Sequence, residues 1–111
     1  MAYAQGAIVV GADPFGGSQQ RPYLVLSNTT HPFHGTEYLA ALVTTTERAQ
    51  AVPLAGAYAE GQLPYESYVN PGNILTLKET AIEKRVAQAT VDVVASTIDE
   101  LTAYVAPEST L

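Results

Sequence analysis

Arg21 is one of five cationic residues in a chain with 11 acidic ones. It stands between a polar, glycine-bearing stretch, Gly16-Gly17-Ser18-Gln19-Gln20, and an apolar one, Tyr23-Leu24-Val25-Leu26. Pro22 fixes the backbone that follows it. A planar guanidinium can hold two oxygens of a carboxylate or of a phosphate. On the residue alone two readings stay open: a surface ion pair with Asp13 or a glutamate, or a cation held by a rigid strand at the rim of a site. Further on, Thr44-Thr45-Thr46 closes a third apolar run, and Arg48 follows. A threonine hydroxyl can position another hydroxyl or a phosphate oxygen, although threonine is also an ordinary strand residue. Successive strand residues alternate faces, so a slip of one residue changes which hydroxyl enters a site. His31 and His34 flank Pro32-Phe33. Histidine is the commonest acid–base catalyst, but these two read as loop residues.

Composition narrows the chemistry. The chain has no cysteine, which excludes disulfides and thiolate metal sites. Two histidines are too few for a histidine-rich zinc site, so no metal and no cofactor are expected. The formal charge of −6 argues against indiscriminate nucleic-acid binding, though not against a local cationic site. Lys78 and Lys84 are the only lysines, and such an acidic, lysine-poor surface suits a cytoplasm with very high salt. No apolar run approaches the roughly 20 residues that span a bilayer. The first residues, Met1-Ala-Tyr-Ala-Gln-Gly6, lack the features of a signal peptide. A cytoplasmic protein without membrane association is expected.

The elements that must position these residues are short. GAIVVG (6–11), 22–27, 37–45 and 50–54 read as strands, with Pro53 marking an edge. Residues 55–64 read as a loop. Residues 67–70 and 73–77 read as two strands split by Pro71-Gly72, and 81–87 as one more. Val91, Val94, Ile98, Leu101 and Val105 then recur at helical spacing and predict one packed helix face, with Thr90 at the N-cap. The expected fold is mainly β with a C-terminal helix: a small SH3-like barrel of six or seven short strands plus one helix. Residues 1–106 form one expected domain and 107–111 a short tail. The apolar runs 37–45 and 74–77 are rich for so small a core, and a homodimer would help.

The order of these pieces resembles the MazF/PemK family of toxin–antitoxin ribonucleases. Gly6-Ala7-Ile8-Val9-Val10 stands where that family has its first strand, and Asp13-Pro14 matches its Asp-Pro. Gly17-Ser18-Gln19-Gln20-Arg21-Pro22 resembles its Gly-Ser-Glu-Gln loop followed by Arg-Pro. Leu24-Val25-Leu26-Ser27 resembles the strand after it, and Thr44-Thr45-Thr46 sits where the family carries threonines. There are departures. The loop is about two residues shorter, and Gln19 replaces a glutamate. Tyr68-Val69-Asn70-Pro71-Gly72 stands where an Asp-Gln followed by arginine is usual.

The resemblance implies a CcdB/MazF-type barrel and a toxin of a type II toxin–antitoxin system. It implies metal-independent endoribonuclease activity on single-stranded RNA by attack of the ribose 2′-hydroxyl. Arg21 and Thr45 are then the expected catalytic residues, with Ser18, Gln19, Gln20, Thr44, Thr46 and Arg48 binding RNA. Asn70 and Asn73 stand near the family's base-reading positions. Implied partners are single-stranded RNA, a cognate antitoxin and a second copy of the chain; operator DNA is reached only through the antitoxin. Two alternatives belong to other classes: a catalytically inactive PemK-like binding module, and a CcdB-like gyrase inhibitor, which would need neither Arg21 nor Thr45.

Overall fold

The computed structural model describes residues 2–13, 16–17 and 19–109. Seven strands form one antiparallel sheet: β1 (Ala7–Gly11), β2 (Arg21–Val25), β3 (Glu37–Thr44), β4 (Val52–Pro53), β5 (Tyr58–Gly61), β6 (Tyr68–Lys78) and β7 (Ile82–Ala89). A 3-10 turn, Glu79–Ala81, joins β6 to β7, and α1 (Val91–Val105) follows. The strand order is β4-β6-β3-β2-β1-β7-β5. The two edge strands, β4 and β5, are consecutive in the chain and joined only by residues 54–57. A chain gains at most about 3.6 Å per residue, so the sheet must curl until its edges approach. The result is a half-barrel of the expected mainly β class. Leu54, fully buried in that connection, donates its N–H to Ser67 O at 3.0 Å.

Two elements differ from the sequence reading. The expected loop 55–64 contains β5, whose Ala59, Glu60 and Gly61 are exposed. It shows no apolar alternation and is held by pairing with β7. Gly61 has φ +61°, and a Cβ there would lie 2.7 Å from Val86 O, so this edge requires glycine. The two strands expected on either side of Pro71-Gly72 are one strand, β6, with a bulge. Ala41 pairs with Ile74 and Val43 with Val69, which sets residues 70–73 against Leu42 alone. Asn70 Oδ1 accepts the Gly72 N–H at 3.1 Å inside the bulge. Proline is tolerated there because the bulge asks for no ladder donor.

Both faces of β1, β2 and β3 are covered. Ile8, Leu24, Ala41 and Val43 lie in one cluster with Val93 and Val94 of α1. Their alternating neighbours Val9, Tyr23, Val25, Tyr38 and Ala40 lie in another, with Leu77. Much of the apolar content of 37–45 and 74–77 is therefore absorbed within the chain. Tyr3 closes this second cluster: its ring meets Tyr38 edge-on at 5.8 Å, and its N–H donates to Tyr38 OH at 2.9 Å.

The helix packs on a face turned toward Val93 and Thr97 from the one its periodicity predicts: Val94 and Leu101 pack on the core as expected, and the two ends of the expected stripe do not. Val93, Val94 and Thr97 are buried, whereas Val91 is 82% and Val105 70% exposed. Thr97 hid this face, because it counts as polar in a sequence. Its Oγ1 donates to Val93 O at 2.8 Å, so its hydroxyl enters the core satisfied. Thr90 holds the N-cap position, but its side chain makes no capping bond. Val94→Ala is expected to cost about 1.5–3 kcal/mol in urea unfolding. Val91→Ala and Val105→Ala should stay within about 0.5 kcal/mol of the parent. Comparable costs at all three positions would restore the face read from periodicity.

Candidate active site

Arg21 opens β2 and Thr44 ends β3, and the two strands are antiparallel neighbours. Tyr23 pairs with Leu42. Two residues further along each strand, this register places Arg21 beside Thr44 on the same face. On the other flank of β3, Thr44 pairs with Tyr68, which sets Ser67 beside Thr45. These strand ends enclose a cavity of about 240 Å³ lined by Gln19, Arg21, Pro22, Val43, Thr44, Thr45 and Ser67.

The guanidinium is held at its root by a rigid strand, with Pro22 leading into the fully buried Tyr23. Among the described residues one ion pair forms, Arg85 with Glu60 at 3.4 Å, and Arg21 takes no part in it. The Arg21 charge is nonetheless felt nearby. Burial pushes the Tyr23 phenol above its ordinary pKa and the Asp13 carboxylate adds to this, while Arg21 pulls it back down. Tyr23 OH donates to Ala12 O at 2.8 Å, which fixes the ring beneath the start of the loop.

The threonines are not equivalent. Thr44 is half-buried, and its Oγ1 accepts the Thr46 N–H at 3.1 Å. That bond ties Thr44 into the turn. Thr45 is exposed and lines the cavity; Thr46 is exposed and does not line it. Tyr68, opposite Thr44, donates its OH to Glu66 Oε1 at 3.1 Å. Burial, that hydrogen bond and the Glu47 charge hold its phenol above the ordinary value. Acidic groups thus stand close to the threonines.

Of the remaining residues singled out by sequence, Gln19 lines the cavity and Gln20 turns away from it. Gln20 Nε2 donates to Glu83 Oε2, at a second cavity of about 350 Å³ that Asp13, Gln19 and Glu83 also line. Arg48 lies exposed in the turn after the threonines, outside the cavity lining, and its carbonyl accepts the Ala51 N–H at 3.1 Å. Ser18 lies outside the described residues. His31 Nδ1 accepts the Phe33 N–H at 3.1 Å, and the His34 ring meets Tyr38 edge-on at 5.7 Å; neither lines the Arg21 cavity. Sequence reasoning took Ser67 only as the start of a strand. Its place beside Thr45 follows from strand pairing across 22 residues of chain, which no local pattern carries. Among the described residues no group of three or more His, Cys, Asp or Glu side chains could hold a metal ion, and no helix is long and apolar enough to cross a membrane.

Solved structures share this architecture. An endoribonuclease in complex with its cognate antitoxin, from a Mycobacterial species, is 24% identical, with 97% of this chain and 100% of that one covered and a TM-score of 0.73. A MazE-MazF structure from Deinococcus radiodurans is 21% identical over 96% of this chain and 99% of that one, with a TM-score of 0.74. The Mycobacterium tuberculosis toxin MazF-mt6 is 19% identical over 93% of this chain and 99% of that one, with a TM-score of 0.71. At such identities the likeness is one of fold. No curated protein matches the chain significantly. The family model for the PemK-like, MazF-like toxin of type II toxin–antitoxin systems matches residues 4–105, and the chain belongs to that family.

Proposed function

We propose that this toxin is an endoribonuclease that cleaves single-stranded RNA, messenger RNA included, without a metal ion. The observation that carries the reading is the meeting of Arg21 and Thr45 at one cavity, with Gln19 and Ser67 beside them. In the reaction the ribose 2′-hydroxyl attacks the adjacent phosphorus and the bond from phosphorus to the 5′-oxygen breaks. The products are a 2′,3′-cyclic phosphate and a 5′-hydroxyl. Negative charge builds on the non-bridging oxygens, where a preorganised guanidinium stabilises the transition state more than the ground state. Arg21 supplies that fork, and the Thr45 hydroxyl positions the 2′-hydroxyl or a phosphate oxygen. Thr44 and the loop residues Ser18 and Gln19 hold neighbouring parts of the strand, Gln20 joins them on releasing Glu83, and Thr46 and Arg48 extend the contact.

The toxin works as a homodimer in the cytoplasm and is silenced by a cognate antitoxin that occupies the RNA site. Similar solved proteins are described as endoribonucleases, one of them in complex with its cognate antitoxin. Operator DNA is reached only through the antitoxin. The test is incubation of the purified dimer with long single-stranded RNA in EDTA. Cleavage to cyclic-phosphate ends at the rate seen without the chelator is expected, because Arg21 rather than a metal ion faces the phosphate. A second reading, a module that binds without cutting, draws on the acidic groups Glu47 and Glu66 near the threonines and on the charge of −6. A folded dimer inert on RNA from low to multimolar salt would favour it.

A further inference from the structure

We infer that a cavity next to the Arg21 site is a stacking subsite for one unpaired nucleobase of the RNA substrate, with the Tyr65 ring as its platform. The inference rests on the reading of the chain as a toxin that cleaves single-stranded RNA. The cavity measures about 430 Å³, and Tyr58, Leu63, Pro64, Tyr65, Glu66 and Ser67 are among its lining residues. Ser67 also lines the cavity of Arg21 and Thr45, so the two spaces share a wall. That wall is fixed. Ser67 is 5% exposed, its Oγ donates to Tyr65 O at 2.7 Å, and its carbonyl accepts the Leu54 N–H at 3.0 Å. The Tyr65 backbone is therefore pinned at a set distance from the reacting groups. Tyr65 is 73% exposed, and its ring takes no part in the ring contacts among the described residues.

The chemistry of the ligand follows from these walls. The walls mix flat apolar faces, from two tyrosine rings, a leucine and a proline, with the polar side chains of Gln62 and Glu66; rings and an anionic carboxylate suit the face and edge of a base rather than a phosphate. In single-stranded RNA the bases can be splayed out and stacked on aromatic side chains. Stacking also answers the charge balance. Five cations against 11 acidic residues leave little affinity to be drawn from phosphates, and stacking needs no positive charge. A base seated on Tyr65 would hold the strand so that the neighbouring phosphate lies at Arg21.

The experiment uses the full-length protein and an RNA oligonucleotide made uncleavable by a single 2′-hydrogen at the mapped cut position. Abasic nucleotides are introduced one at a time near the cut. At one position, loss of the base should weaken binding to the parent protein about 5- to 150-fold, the range for loss of one stacked base. Tyr65→Ala should cause a loss of the same size. The two changes together should cost no more than either alone. Tyr65→Phe should bind like the parent. In cleavage, Tyr65→Ala should raise KM and spare kcat, the pattern for lost uniform binding. Additive losses, or parental binding by Tyr65→Ala, overturn the subsite while parental cleavage keeps the function. If Tyr65→Ala loosens only the cognate antitoxin and not RNA, the platform belongs to the antitoxin and the inference is overturned. A parent protein that neither binds nor cuts single-stranded RNA brings down the function and the subsite together.

Discussion

Arg21→Ala should reduce cleavage of single-stranded RNA by about 100- to 1000-fold, the usual cost of removing one preorganised contact to a developing oxyanion. Fold and dimer should survive. Arg21 stands at the half-buried start of β2, and the core begins behind it at Tyr23. Arg21→Lys should also be poor, because a point charge cannot replace a fork that spans two oxygens. The loss should fall on the single-turnover rate constant of the chemical step and less on binding. Thr45→Ala should act in the same direction with a smaller effect. Thr46→Ala should cost the least of the threonine changes, since Thr46 does not line the cavity and only extends the contact with RNA. Thr44→Ala tests the register: its hydroxyl already accepts the Thr46 N–H, so its loss should disturb the turn before the chemistry. Undiminished cleavage by Arg21→Ala would remove the site assignment and leave the family and the fold standing.

What a single sequence discloses here tracks how local the cause is. β1, β2 and β3 are apolar runs bounded by glycine, proline or polar loops, and each is where its composition puts it. Pro53 lies on an edge strand for the stated reason, a missing donor. Arg21 and Thr44 stand at the start of one strand and the end of another, close to where composition puts those boundaries. The misses are non-local. β5 is exposed and exists through its pairing with β7. Ser67 reaches the site across the sheet. The helix face turns on Thr97, whose hydroxyl is satisfied one turn back at Val93 O. A count of apolar residues at helical spacing cannot register a threonine that buries itself this way. Gln20 went elsewhere for a similar reason: Glu83, 63 residues away, takes its amide.

A single 2′-hydrogen at the cut position should stop cleavage there altogether, the largest effect expected of any change to the reactants. The nucleophile belongs to the substrate, and nothing in the proposed mechanism activates water for the first step. Binding should be nearly unchanged, which separates lost chemistry from lost contact. Oligonucleotides with the same hydrogen one position away should be cut as before. The comparison has to span salt concentration, because phosphate contacts weaken with salt. A chain of charge −6 should also show a shallow dependence. If Arg21 and Arg48 are the phosphate contacts, log affinity should fall against log salt with a slope of about −1.4, at roughly 0.7 per contact for a single strand. A steeper slope would mean that a dimer or other cations contribute. Continued cutting of the substituted RNA at the same bond would show that water is the attacking group. Arg21 could then still hold the phosphate, and of the two roles assigned to Thr45 only the contact to a phosphate oxygen would remain, because there would be no 2′-hydroxyl for it to position.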